Sequence, residues 1–254
     1  MARRDTQLKA DQLQHFMRIS SEGGTKTVER LGSMIRQRVP DPDGELRIAD
    51  LGGGDGHVLD ALLEAMPRAQ GVLVDLAQEM VDANRPHPRK VAYRGDLANL
   101  DGALPEDLSF EVVLFNVVLH HCLAQGVGDT RELQQRILRQ ATRRLAPGGR
   151  ILVLEQIHES PIVPDLASLL IYGLTRSKLL APLTGRLGAN TAGAGVLFAS
   201  QARLRRLYVD AGLELVEEVL FRQDGTPWVA LAVGCTNSCQ KLYVLQPADA
   251  APQV

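Results

Sequence analysis

The chain is short of the residues that mark specialised protein classes. Three cysteines in 254 residues, an odd number, argue against a disulfide framework. No stretch is long and apolar enough to span a bilayer. The basic start, Met1 to Gln7, has no apolar segment behind it and is not read as a signal peptide. Cytoplasm is therefore the expected compartment, with no membrane partner. Acidic and basic residues nearly cancel, 30 against 28, leaving no field that would gather nucleic acid. Aromatic side chains make up only 4% of the chain, too few for a base-stacking surface. There is no internal repeat and no low-complexity segment. Two phosphate-binding fingerprints are missing as well. Counted from Gly52, the third glycine of G-x-G-x-x-G falls on His57; counted from Gly54, it falls on Leu59. No Lys-Ser or Lys-Thr follows, so there is no Walker loop.

What the chain does have is Ile48-Ala49-Asp50-Leu51-Gly52-Gly53-Gly54-Asp55-Gly56, followed by an apolar helix-like run from Val58 to Met66. Strand, glycine turn and helix in that order form the first unit of a doubly wound α/β domain. Glycines allow the sharp turn and leave no Cβ between main chain and ligand. Asp50 precedes the first glycine by two residues. A carboxylate there suits an ammonium or a hydroxyl and repels a pyrophosphate. A second apolar strand, Gly71 to Asp75, ends in an acid on the order of 20 residues past the loop, where a ribose-binding carboxylate is expected. The competing reading for Asp75 is a helix N-cap or a solvated strand end. A third strand, Val91 to Arg94, runs into Gly95-Asp96-Leu97. Asp96 suits an exocyclic amino group and Leu97 a ring face, although Gly-Asp is also ordinary turn chemistry.

These segments resemble the class I S-adenosylmethionine-dependent methyltransferases. The matching pieces are Asp50 to Gly56, Asp75, Gly95-Asp96-Leu97, Phe110 to Asn116, and Leu145 to Glu155 with its Pro147-Gly148-Gly149 turn. They occur in the family's order over roughly residues 45 to 157. The ordered set is more specific than any single piece. One departure is Glu111, where an Asp is more usual. The resemblance implies an α/β, Rossmann-like doubly wound sheet of seven strands. The sheet would be mostly parallel, with one antiparallel strand near the C-terminus and helices on both faces. It implies S-adenosylmethionine as cofactor. Its methionine end would lie by Asp50, Gly52, Gly53, Gly54 and Gly56, its ribose on Asp75 beside Leu76, and its adenine near Asp96 and Leu97. Asn116 would reach the methionine moiety or the acceptor.

Chemistry on an acceptor needs residues beyond that loop. Asn116-Val117-Val118-Leu119-His120-His121-Cys122 follows the fourth strand, where open α/β sheets place ligands. Histidine titrates near neutral pH and suits removal of a nucleophile's proton. Val118-Leu119-His120 resembles the base element of small-molecule, natural-product O-methyltransferases, in which Asp-Trp usually follows. Here His121-Cys122 stand there instead, removing the adjacent acid. His120 and His121 are the catalytic candidates; packing roles are the competing reading. No metal is expected, since three adjacent residues cannot converge on one ion and Cys235-x-x-x-Cys239 adds no matching pair. Glu155, ending the fifth strand, and Tyr172, in the connection that follows, are the substrate-binding candidates.

The expected organisation is a helical cap over residues 1–45, a methyltransferase domain over 46–246, and a flexible tail over 247–254. Leu13, Phe16, Met17, Val28, Leu31 and Ile35 have helical spacing in the cap. Residues 158–199 read as an acceptor-pocket lid. Ser200 to Ala211 reads as a helix capped by Ser200 and Gly212. Leu213 to Phe221 and Trp228 to Val233 read as the last two strands. The expected activity is methyl transfer to a small organic acceptor, in secondary metabolism. Two rivals stay open: use of the cofactor without methylation, by cyclisation or lyase chemistry releasing methylthioadenosine, and a non-catalytic cofactor-binding partner module. The oligomeric state is open.

Overall fold

The computed structural model describes residues 24–161, 163, 165–182, 193–224 and 234–248. Its frame is a seven-stranded sheet in the order β3-β2-β1-β4-β5-β7-β6. The strands are β1 (Arg47–Leu51), β2 (Gln70–Asp75), β3 (Lys90–Arg94), β4 (Phe110–Asn116), β5 (Leu145–Glu159), β6 (Leu213–Asp224) and β7 (Asn237–Pro247). Strands β1 to β5 pair in parallel, and β7 runs antiparallel to both β5 and β6. The central strands are apolar without alternation because both faces of the sheet are covered. In β4, Val113 and Phe115 point into one layer, Val112 and Leu114 into the other.

The helices are α1 (Gly24–Arg38), α2 (His57–Ala65), α3 (Gln78–Asp82), α4 (Val127–Arg143), α5 (Leu166–Arg176) and α6 (Gln201–Asp210). One layer is filled by α4 and α6 through Ile137, Leu138, Ala141, Leu204, Leu207 and Tyr208. The other is filled by α1 and α2, through Val28, Leu31 and Ile35 on α1 and Leu59, Leu62 and Leu63 on α2. Those spacings are the helical i, i+3, i+4, i+7 pattern that places one face inward. Leu62 is fully buried; truncating such a leucine to alanine costs about 2–5 kcal/mol. Ser200 caps α6, its hydroxyl accepting from the Arg203 N–H, and Gly212 ends the helix at a φ of 81° that a side chain would resist.

Leu13, Phe16, Met17 and the expected strand Trp228–Val233 lie outside the described residues. The antiparallel partner of β6 is β7, a segment that the sequence reading left unassigned. Its polar opening, Asn237-Ser238-Cys239-Gln240-Lys241, hides the period that Leu242, Tyr243, Val244 and Leu245 complete in the core. Strand β5 continues past its expected end at Glu155 to Glu159, because β7 pairs with it over that whole length.

Candidate active site

The chain leaves β1 toward α2 on one face and leaves β4 toward α4 on the other. Between two neighbouring parallel strands this is a topological switch point, with a crevice at their carboxyl ends. The glycine loop forms one wall. Gly52, Gly54 and Gly56 all have φ between 59° and 77°, a region that L side chains rarely adopt. Gly52 has a second reason to be glycine: a Cβ there would lie 2.3 Å from Val118 Cγ2 on the other wall. A Cβ on Gly54 would meet nothing closer than 3.8 Å, so that residue borders open space. Gly53 covers Asp50, whose carboxyl group a Cβ would approach to 2.5 Å.

Asp50 is 1% exposed, and neither oxygen has a hydrogen-bond partner among the described residues. Burial, opposed by the charge of His57, pushes its carboxyl up to about 7. A buried acid left so under a glycine loop fits a cationic or hydroxylic group of a ligand. Asp75, at the end of β2, is different. Its Oδ2 accepts the Gly54 N–H at 3.1 Å and its Oδ1 the Ala77 N–H at 2.9 Å. Burial raises its carboxyl, a rise that these bonds offset only in part. Each oxygen keeps a lone pair for a ribose hydroxyl. Leu76 beside it is exposed. Asp96 accepts the Ala98 N–H at 3.0 Å and caps a short turn that carries buried Leu97. Asn116 is half-buried at the end of β4. The ends of four adjacent strands thus bring together the ten residues expected to hold the cofactor.

After Asn116 the chain turns through Val117 at φ 55°, an outlier for a β-branched side chain. Strain of this kind is sustained only where the surroundings fix it. Here the Val117 N–H donates to the Leu154 carbonyl at 2.7 Å. The turn delivers Leu119 and His120 to the end of β5. Glu155, 2% exposed, accepts the Leu119 N–H at 2.7 Å and lies 2.7 Å from His120 Nδ1 through its other oxygen. A carboxylate only accepts, so the proton of that bond sits on Nδ1 and the basic nitrogen is Nε2. Nε2 has no hydrogen-bond partner among the described residues. The acid that the sequence lacks beside His120 is therefore supplied by β5, which pairs with β4. Glu155 supports the histidine from within instead of lining open space.

Sequence reasoning missed the residues around this pair. Phe198 stacks on the His120 ring at 4.7 Å, and His158 meets Phe198 edge-on at 4.5 Å. The segment carrying Phe198 is held by the Leu197 N–H on the His120 carbonyl and by a bridge between Ile157 and Ala199. Only the aromatic type of Phe198 in the long connection could have flagged it. Burial keeps His158 at about 4 and His121 well below the ordinary imidazole range, so both are neutral near pH 7. Burial pushes Cys122 up to about 12, which leaves no thiolate. Tyr172 is buried on α5, and its hydroxyl is bonded to Arg176, which also donates to the Ala124 carbonyl at 2.7 Å. On the same helix Leu166, Leu169, Leu170 and Leu174 are exposed. Among the described residues, no group of three or more His, Cys, Asp or Glu side chains could hold a metal.

Residues 49–151 match a family model described as a methyltransferase domain. A ubiquinone/menaquinone biosynthesis C-methyltransferase from Vibrio campbellii is 32% identical over 177 residues, covering 66% of this chain and 64% of that protein. Aclacinomycin 10-hydroxylase from Streptomyces purpurascens is 34% identical over 110 residues, covering 43% of this chain and 28% of that protein. The chain spans 44% to 64% of the length of the first curated relatives it matches. A solved structure of the mitomycin 7-O-methyltransferase MmcR superposes with a TM-score of 0.54 at 20% identity, over 87% of this chain and 54% of that one. At that identity the likeness speaks for the fold. The doubly wound sheet, the glycine crevice and the matched domain define a class: Rossmann-like cofactor-binding transferases. Within it, residues 49–151 form a methyltransferase domain, and the chain is similar to S-adenosylmethionine-dependent methyltransferases.

Proposed function

We propose that the protein methylates a small organic acceptor from S-adenosylmethionine, with His120 as general base, in cytoplasmic secondary metabolism. The observation that carries this reading is the buried Glu155–His120 pair beside the glycine crevice. When bound, S-adenosylmethionine supplies an electrophilic methyl group. The chain's own residues do the rest. Asp75 accepts from the ribose, Leu76 and Leu97 cover the adenine, and Asp96 accepts from its amino group. Asp50 receives the ammonium of the methionine end over Gly52, Gly53, Gly54 and Gly56, with Asn116 alongside. The buried carboxyl of Asp50 gains the partner it lacks. Most of the rate then comes from holding the acceptor in line. Glu155 holds the His120 proton at Nδ1, so Nε2 takes the acceptor's proton as the new bond forms. Phe198, with neutral His121 and His158, excludes water from that imidazole. On the acceptor side, α5 with buried Tyr172 and residues 193–199 stand beside His120.

The likeness to a hydroxylase supports a second reading, in which the cofactor is held but not used for methylation. One experiment separates the two. The purified protein is incubated with S-adenosylmethionine, with and without a panel of phenols and quinones, and the products are identified by mass spectrometry. S-adenosylhomocysteine and a methylated acceptor, formed together and only with acceptor, are expected. Methylthioadenosine released without any acceptor would overturn methyl transfer.

A further inference from the structure

Asn84 follows α3 and is half-buried beneath the glycine loop. Its Nδ2 donates to the Gly54 carbonyl at 3.0 Å and to the Met80 carbonyl at 3.3 Å. Two carbonyls on one side of an amide require its nitrogen there, which fixes the orientation of the group. Its Oδ1 is buried and has no partner among the described residues. That oxygen faces Gly56, where a Cβ would come within 2.3 Å of it. The same Cβ would come within 3.0 Å of Lys90 Nζ. The Lys90 side chain is 2% exposed and pairs with Asp60 in the first turn of α2.

Gly54 is therefore held in both of the peptide planes that flank its Cα. Its N–H goes to Asp75 and its carbonyl goes to Asn84. Gly54 also borders the open side of the crevice and has a φ of 59°, so its own conformational preference does not fix it. With its carbonyl untied, Gly54 is free to change φ and ψ and to swing its N–H away from the acceptor. The Asp75 carboxylate would then lose one of the two bonds that orient it.

We propose that Asn84 is a positioning residue for the cofactor: it clamps Gly54 so that Asp75 presents its lone pairs to the ribose. The buried Lys90–Asp60 pair props the Gly56 turn against which the amide packs. The inference rests on the reading of the crevice as a cofactor site. It assigns a binding role to a residue that touches no ligand and lies about thirty positions from the loop it serves.

The test is calorimetric binding of S-adenosylhomocysteine to the full chain, with urea midpoints measured alongside. Asn84→Ala and the isosteric Asn84→Asp both lose the donor; Asn84→Asp keeps the packing if the smaller residue compromises folding. Each is expected to weaken binding about tenfold, with a midpoint shift too small to account for it. In an Asp75→Ala background, Asn84→Ala is expected to add nothing, because both act through one path. Wild-type affinity in both variants, or full additivity with Asp75→Ala, overturns the inference alone. Failure of the wild-type protein to bind overturns the reading of the crevice and the inference with it.

Discussion

The ends of β1 and β2 lie side by side, and each carries an aspartate, Asp50 buried and Asp75 half-buried, yet the two meet desolvation in opposite ways. Asp75 is met by two backbone N–H groups, and those bonds oppose the rise that burial imposes. Asp50 has no such donor and is pushed up to about 7. A third acid, Glu155 at the end of β5, is met by an N–H and an imidazole. The strand ends differ in which donors the fold supplies to each acid. Asp75 and Glu155 each have donors within the protein for both carboxylate oxygens. Asp50 has none among the described residues, which is why the proposed function gives it the ligand's ammonium.

The largest expected effect breaks the completed side. Once an acceptor is in hand, His120→Ala should lower turnover by about 10²- to 10⁴-fold and leave S-adenosylhomocysteine affinity within about twofold. Glu155→Gln keeps an oxygen for Leu119 but offers an amide to Nδ1. A loss on the order of 10²-fold is expected from the wrong tautomer. A normal rate in both would assign proton removal to solvent or to another group.

Next comes the incomplete side. Between its ordinary 3.8 and about 7, Asp50 holds a proton in the folded state that the unfolded chain has released. Stability from this group therefore falls as pH rises through that window. Asp50→Asn should stabilise the ligand-free protein by roughly 2–4 kcal/mol at pH 8 and flatten that fall, as read by urea midpoints from pH 5 to 8. Asp75→Asn should do no such thing; equal stabilisation of both would erase the contrast drawn between them.

The smallest effect concerns the acceptor side. His158 stays neutral when folded down to about 4, while the unfolded chain takes up a proton near 6.5. Stability is therefore lost as pH falls between those values. His158→Leu should reduce the loss between pH 7 and 5 by about 2 kcal/mol. An unchanged acid limb would mean that the ring is solvated at low pH.

Much of the crevice was legible because its chemistry is local. Asp50, the glycines, Asp75 and Gly95-Asp96-Leu97 each lie within a few residues of the strand that places them. The acceptor side was not, because its partners meet across the sheet. Glu155 reaches His120 over 35 positions, and Phe198 reaches it over 78. No spacing rule connects such pairs before the strand order is known. The sequence pointed to His120 and pointed to Glu155, but as separate features. Strand β7 was missed for another reason: its first half is polar, and only its pairing with β5 and β6 makes it a strand.

That same β7 has a consequence for how the molecule is made. Among the described strands it comes latest in the chain, yet it lies between β5 and β6. During synthesis, β1 to β5 can assemble their parallel pairs as they emerge from the ribosome. Strand β6 then appears with no neighbour to join, and β5 is left with an open hydrogen-bonding edge. Both edges stay available to other nascent chains until residues 237–247 arrive to fill the gap.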